Sequence, residues 1–122
     1  MKMFTIALVF KTNAEEALNF YAKAIGYEVL DTDFDKGENG LITHAELPIY
    51  GNRLMLSDGA TDTNFAGFTL AIVLSDKTEI ERVYTALSDG AEIIIPLGKV
   101  EFSESYGVLK DKFGVTWQIC LT

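Results

Sequence analysis

The fold is decided by residues 68–87, FTLAIVLSDKTEIERVYTAL, in which an apolar run passes through a short polar turn into a helical pattern. A short apolar run bounded by turn residues is typical of a buried strand, so we predict one over Phe68 to Leu74. Ser75 and Asp76 are of the residue types that cap helices. The apolar residues that follow recur at helical spacing and predict one buried helix face: Ile80, Val83, Tyr84 and Leu87.

The same order of elements occurs near the start of the chain. Met3 to Phe10 is an apolar run, and Thr12 and Glu15 have the spacing of a capping box. Gly26 stands where the end of a helix favours a left-handed residue. The helix between these signals has its own apolar face, made of Leu18, Tyr21, Ala22 and Ile25.

The two stretches form an internal repeat. Three pairs of corresponding residues are separated by the same offset of 63 positions: Thr12 and Ser75, Tyr21 and Tyr84, Gly51 and Gly114. Further strands are predicted after each helix, over 27–35, 41–49 and 53–58 in the first half and over 91–97, 102–110 and 115–121 in the second. Pro96 cannot donate a ladder hydrogen bond, which predicts that its strand lies near a sheet edge or ends there.

The repeat predicts an α+β fold of two tandem βαβββ modules. One module cannot bury its helix face alone, so we expect the two to form a curved mixed sheet around a cleft, with the helices on the convex side. Residues 1–58 form the first module, 59–66 the linker and 67–122 the second module. A chain of 122 residues has room for one such domain.

The composition excludes some partners. A net charge of −8 repels phosphate backbones and anionic lipid, so we expect neither nucleic acid nor a membrane surface. It attracts a cationic ligand, and a charge that serves solubility alone is the alternative. The single cysteine, Cys120, cannot form an internal disulfide, which favours a cytoplasmic location. No apolar stretch approaches the roughly 18 residues of a membrane span.

Polar and aromatic side chains on the predicted strands are candidates for the cleft. Alternation places His44 on one strand face with Ile42 and Glu46, and the His–Glu pair is able to bind a ligand or move a proton. A hydrogen-bonded structural histidine at the surface is the alternative. Tyr106 and Phe102 predict an aromatic wall for a planar or amphipathic ligand, with ordinary core packing as the alternative.

Several local strings resemble the vicinal-oxygen-chelate superfamily, which includes glyoxalase I, bleomycin-resistance proteins and extradiol dioxygenases. They are ALNFY at 17–21, THAEL at 43–47, LMLSD at 54–58 and DKFGVTWQI at 111–119. Within that superfamily they are similar to a bacterial subgroup once labelled demethylubiquinone-methyltransferase-like. The resemblance spans nearly the whole chain and implies the two-module fold and a homodimer.

The resemblance also implies where a metal would bind in the metal-dependent members. Their four ligand positions, on the first and last strand of each module, fall here on Ile6, Met55, Thr69 and Gln118, and the repeat pairs 6 with 69 and 55 with 118. An alkyl group, a thioether, a hydroxyl and a neutral amide are not ligands for the Zn, Ni, Fe or Mn of such sites. We therefore expect no metal and no other cofactor.

These observations predict a metal-independent protein that binds a small cationic or amphipathic molecule, as the bleomycin-resistance branch of the superfamily does. The expected ligand-binding residues are Ile6, His44, Glu46, Met55, Thr69, Tyr106 and Gln118, and no catalytic residue is expected. Two alternatives stay open. One is a lyase, isomerase or transferase of the same superfamily that uses a displaced metal or none, and the other is a structural module whose cleft is plugged by its own side chains.

Overall fold

The computed structural model describes residues 2–122 and divides the chain into two compact units, one up to Thr63 and one from Asn64 onward. Each unit packs one α-helix against one open, four-stranded mixed sheet. This confirms the α+β class and the two tandem βαβββ modules. The predicted cleft and the predicted linker over 59–66 stay predictions.

The first unit carries helix α1 on a sheet whose strands lie in the order β1-β4-β3-β2. Its elements are β1 (Ile6–Val9), α1 (Ala14–Ile25), β2 (Phe34–Lys36), β3 (Ile42–Ile49) and β4 (Asn52–Ser57). Strand β1 is parallel to β4, and the other pairings are antiparallel. Tyr50 and Gly51, both at positive φ, make the two-residue turn between β3 and β4, which is the geometry that matches the twist of a hairpin.

The second unit repeats this arrangement with helix α2 and the strand order β5-β8-β7-β6. Its elements are β5 (Leu70–Leu74), α2 (Lys77–Leu87), β6 (Glu92–Val100), β7 (Ser103–Lys110) and β8 (Thr116–Leu121). Strand β5 is parallel to β8, as β1 is to β4. Strand β6 lies at the edge, so the placement of Pro96 on an edge strand is confirmed.

Each sheet has one face covered by its own helix, and we call the other face the open face. Alternation in the last strand of each unit separates the two faces, because successive strand residues point to opposite sides. Leu54 and Leu56 are buried on the helix side of β4, and Trp117 and Ile119 on the helix side of β8. The residues between them, Met55 and Gln118, are only half-buried and lie on the open faces.

The strand predicted over 27–35 is wrong for most of its length. Residues Asp31–Asp33 form a short 3₁₀-helix, and only Phe34–Lys36 is a strand. The Asp33 carboxylate accepts hydrogen bonds from the Leu30 N–H (2.7 Å) and the Tyr27 hydroxyl (2.8 Å). A short acidic side chain that bonds nearby groups in this way competes with ladder pairing.

The two helices begin differently. The capping box predicted from Thr12 and Glu15 does not form. The N-cap residue is Asn13, and its side chain makes no capping hydrogen bond. Instead the carboxylate of Asp58, the residue directly after β4, accepts from the Ala14 N–H and the Ile42 N–H, each at 2.9 Å. Helix α2 is capped locally as predicted, because the Asp76 carboxylate accepts from the Thr78 N–H at 2.9 Å.

Candidate functional site

The first strands of the two units carry almost the same sequence. Residues 5–9 read TIALV and residues 69–73 read TLAIV, at an offset of 64. The pairing confirms the equivalence, since Ala7 lies opposite Met55 on β4 and Ala71 lies opposite Gln118 on β8. The offset is 64 in the first strands and 63 in the last strands. The first unit therefore has one more residue between its first and last strands than the second unit has.

Because of this extra residue, Ile6 does not lie on the face that the repeat predicts for it. Ile6 lies opposite Leu54, which is 4% exposed on the helix side of its sheet, and not on the face of Met55. A register difference of one residue moves a strand side chain to the other face. Thr5, whose hydroxyl donates to the Arg53 carbonyl oxygen, is the residue that corresponds to Thr69.

Three predicted site residues of the second unit come together on its open face, and we call them the polar line: Tyr106, Gln118 and Thr69. The Tyr106 hydroxyl donates to Gln118 Oε1 at 3.1 Å, and Gln118 Nε2 donates to Thr69 Oγ1 at 2.6 Å. Tyr106 lies on β7, Gln118 on β8, and Thr69 immediately before β5. The polar line therefore crosses three neighbouring strands with neutral groups only.

An aromatic pair flanks the polar line. The rings of Phe102 and Tyr106 meet edge to face, with centroids 4.9 Å apart and planes at 74°. Phe102 is 70% exposed, so core packing does not account for it. Val73, on the open side of β5, is also exposed. The face thus combines three neutral polar groups with uncovered apolar surface, which is the composition of small-molecule sites.

The open face of the first unit carries a charged cluster of His44, Glu46 and Arg53. Arg53 Nη1 is 3.2 Å from Glu46 Oε1, and His44 Nε2 is 3.8 Å from the same oxygen. Met55 lies opposite Glu46 in the β3–β4 pairing. The predicted His44–Glu46 neighbourhood is present, but Glu46 is paired more closely with an arginine. Because these side chains are partly exposed, the pairs contribute only about 0–1 kcal/mol to stability.

Two details of this face differ from the sequence reasoning. Ile42 is 2% exposed in the core and does not share the face of His44, because the pairing with β2 shifts by one residue between the two positions. Arg53 was missed as a site residue. Its signal was its spacing of two from Met55, which places both side chains on one strand face.

The residues predicted to lie at metal positions do not fit a divalent cation. They offer a thioether on Met55, a hydroxyl on Thr69 and an amide on Gln118, all of them neutral. Both ends of the Gln118 amide are already engaged in the hydrogen bonds of the polar line. Within residues 2–122, no three or more His, Cys, Asp or Glu side chains form a group that could hold a metal ion.

Neither helix of the described chain is both long and apolar enough to cross a membrane.

Comparisons with known proteins agree with this geometry. Residues 2–120 match the family described as 3-demethylubiquinone-9 3-methyltransferase. Protein YjdN of Escherichia coli strain K12 is 27% identical over 132 residues, which cover 92% of this chain and 90% of YjdN.

Solved structures extend the likeness. A Bacillus cereus protein described as a putative 3-demethylubiquinone-9 3-methyltransferase, PhnB protein, superposes with a TM-score of 0.85 at 29% identity, covering 99% of this chain and 100% of that one. A glyoxalase-related enzyme from Fulvimarina pelagi shares the fold, with a TM-score of 0.66 at 18% identity over 100% of this chain and 89% of that one. The predicted resemblance is thereby confirmed.

Proposed function

The chain belongs to the 3-demethylubiquinone-9 3-methyltransferase family, and from that premise we propose that it is a metal-independent protein that binds a small cationic or amphipathic molecule. The proposed site is the open face of the second unit. The observation that carries the proposal is the polar line beside an aromatic side chain, Phe102, that is 70% exposed.

The polar line supports binding without a metal. Its members hold one another in place through hydrogen bonds of 3.1 and 2.6 Å, so the side chains need no cation to orient them. A site of this kind recognises a ligand by shape and a few hydrogen bonds.

The remaining surroundings favour an amphipathic ligand. Phe102 and Val73 offer uncovered apolar surface beside the polar line. The net charge of −8 attracts a ligand that also carries a positive group. Formation of a homodimer and a cytoplasmic location stay predictions.

Binding is tested on the full chain with two probes, the aromatic cation benzyltrimethylammonium and the neutral compound benzamide. We expect at least one of them to raise the thermal midpoint and to shift the NMR signals of Thr69, Tyr106 and Gln118. Gln118→Leu should weaken that binding about tenfold, because it removes both hydrogen bonds of the polar line.

Met55→Leu is the matched control, since Met55 occupies the position on β4 that Gln118 occupies on β8. It should leave binding by the second unit unchanged. Failure of both probes to shift any signal of that open face at millimolar concentration would contradict the proposal.

Metal analysis tests the alternative, an enzyme that uses a displaced metal. Protein purified without chelator should contain well under one equivalent of Zn, Ni, Mn or Fe by elemental analysis, and EDTA should not change probe binding. A stoichiometric divalent metal whose removal abolishes probe binding would overturn the metal-independent proposal.

A further inference from the structure

We propose that the polar line offers two neighbouring unused hydrogen-bond donors to an acceptor oxygen of the ligand, and that the ligand is a flat aromatic compound with an exocyclic carbonyl, such as an aromatic amide or ketone. The inference rests on the proposed function, because it names the chemistry that the same face recognises. The basis is the set of hydrogen-bond donors that are not engaged within the polar line.

Two hydrogen-bond donors of the polar line are not engaged within it. A glutamine amide has two N–H donors and one acceptor oxygen, and a hydroxyl has one donor. The Gln118 oxygen accepts from Tyr106, and one Gln118 N–H donates to Thr69. The second Gln118 N–H and the Thr69 hydroxyl hydrogen have no acceptor among residues 2–122.

These two remaining donors are neighbours. Their heavy atoms, Gln118 Nε2 and Thr69 Oγ1, are 2.6 Å apart, so an acceptor atom of a ligand that lies beside them is within reach of either donor. The Tyr106 hydroxyl strengthens them, because hydrogen bonds in a chain polarise one another. The end of the polar line nearest β5 is therefore suited to an acceptor.

The charge of that acceptor follows from the surroundings. The net charge of −8 opposes a free carboxylate or phosphate. An ammonium group cannot use these two donors, and the Gln118 oxygen is already occupied by Tyr106. A neutral carbonyl oxygen meets both conditions, while a positive charge elsewhere on the ligand remains compatible with them.

The aromatic part of the ligand is indicated by Phe102. Its ring meets Tyr106 edge to face at 4.9 Å and leaves most of its own surface uncovered. A further flat ring can pack against Phe102 in the same edge-to-face or offset manner. Since Tyr106 belongs to both the aromatic pair and the polar line, one ligand can hold a ring near Phe102 and an oxygen near Gln118.

The inference is tested with probes that share a ring and differ in their polar atom. Benzamide carries a carbonyl oxygen, thiobenzamide replaces it with the weaker acceptor sulfur, and benzylamine has no carbonyl. Binding to the full chain is followed by NMR through the side-chain amide signal of Gln118. We expect benzamide to bind about five- to tenfold more tightly than each of the others.

Two variants test the donors themselves. Thr69→Val keeps the shape of the side chain and removes its donor, so it should weaken benzamide binding about fivefold, while Thr5→Val at the corresponding position of the first unit should not. Gln118→Glu replaces N–H donors by a carboxylate oxygen and should reverse the preference, so that the cation benzamidine binds more tightly than benzamide. Thermal midpoints of all variants show that they remain folded.

The outcomes separate the inference from the proposed function. Equal binding of benzamide and benzylamine at the second unit's open face, unaffected by Thr69→Val, would overturn the inference and leave ligand binding intact. No binding of any of these probes or of benzyltrimethylammonium would overturn both.

Discussion

The two units of this protein share a frame and differ in the chemistry on it. Their first strands read TIALV and TLAIV, and each is parallel to the last strand of its unit. At the matched position of the last strand, the first unit has Met55 beside the charged cluster, and the second has Gln118 within the polar line. Buried apolar residues on the helix side keep the two frames alike, whereas the last strands place different side chains, Met55 and Gln118, on the two open faces.

The units differ also in how the frame is held together. The first unit starts its helix with a carboxylate from a distant strand, Asp58, whereas the second uses the adjacent Asp76. Opposite the buried residues Leu56 and Ile119, the first unit has Ala45 and the second has Gly107. A single substitution can test how much each of these contacts contributes to stability.

The largest expected effect is that of Asp58→Ala. The variant loses two hydrogen bonds from backbone N–H groups to a carboxylate, those of Ala14 and Ile42, and we expect a loss of about 2–3 kcal/mol in the free energy of unfolding. The local cap Asp76→Ala should cost about 1 kcal/mol. Urea unfolding measures both, and equal losses would show that the long-range bonds of Asp58 add nothing to its capping role.

An intermediate effect is expected from Gly107→Ala. A Cβ atom added at Gly107 would lie 2.6 Å from Cε2 of Tyr84, whose ring is held between helix and sheet, so either must shift. We expect a loss of about 2 kcal/mol from overpacking.

Gly98→Ala on the edge strand β6 is the matched control, since its added Cβ meets nothing within 4 Å. Its thermal midpoint should stay close to that of the parent protein. A Gly107→Ala protein as stable as the Gly98→Ala protein would show that Tyr84 relaxes without cost.

The smallest expected effect concerns two tyrosines, one in each unit. Burial raises the pKa of Tyr84 above its ordinary value of 10.0, and the hydrogen bond to Asp33 is the main cause that raises the pKa of Tyr27. A raised pKa means that the folded state favours the neutral phenol. The stability linked to each group is therefore present below pH 10 and lost as the pH rises through the raised pKa.

Urea midpoints between pH 8 and 11 test this difference. Tyr84→Phe should lessen the decline in stability above pH 10, and Tyr27→Phe should lessen it by a smaller amount, because Tyr27 is less buried than Tyr84. An unchanged decline in Tyr84→Phe would contradict the role of burial.

Much of the fold could be predicted because the spacing of apolar residues depends on which side chains are buried. Ile80, Val83, Tyr84 and Leu87 are buried as their spacing predicts. Errors arose where one local contact or one residue of chain length decided the outcome. The Asp33 carboxylate helps to form a 3₁₀-helix where a strand is predicted, so that strand begins only at Phe34. The extra residue in the first unit places Ile6 on the helix side of its sheet and not on the predicted face.

The candidate site could be predicted only in part. Alternation placed Gln118 on the open face, and the position of Thr69 followed from the repeat. That their side chains bond to each other and to Tyr106 depends on three strands that are neighbours in space and distant in sequence. Arg53 was missed because its contact with Glu46 becomes apparent only when the hairpin register is known.

The sequence by itself determined the repeat, the helix faces, the alternation of the strands and the neutral character of Met55, Thr69 and Gln118, because each of these depends on residue type and spacing. The tertiary structure alone decided the register of β1, the distant cap at Asp58 and the direction of the hydrogen bonds along the polar line. These depend on which strands pair and by how many residues they are offset, and a difference of one residue changes the face on which a side chain lies.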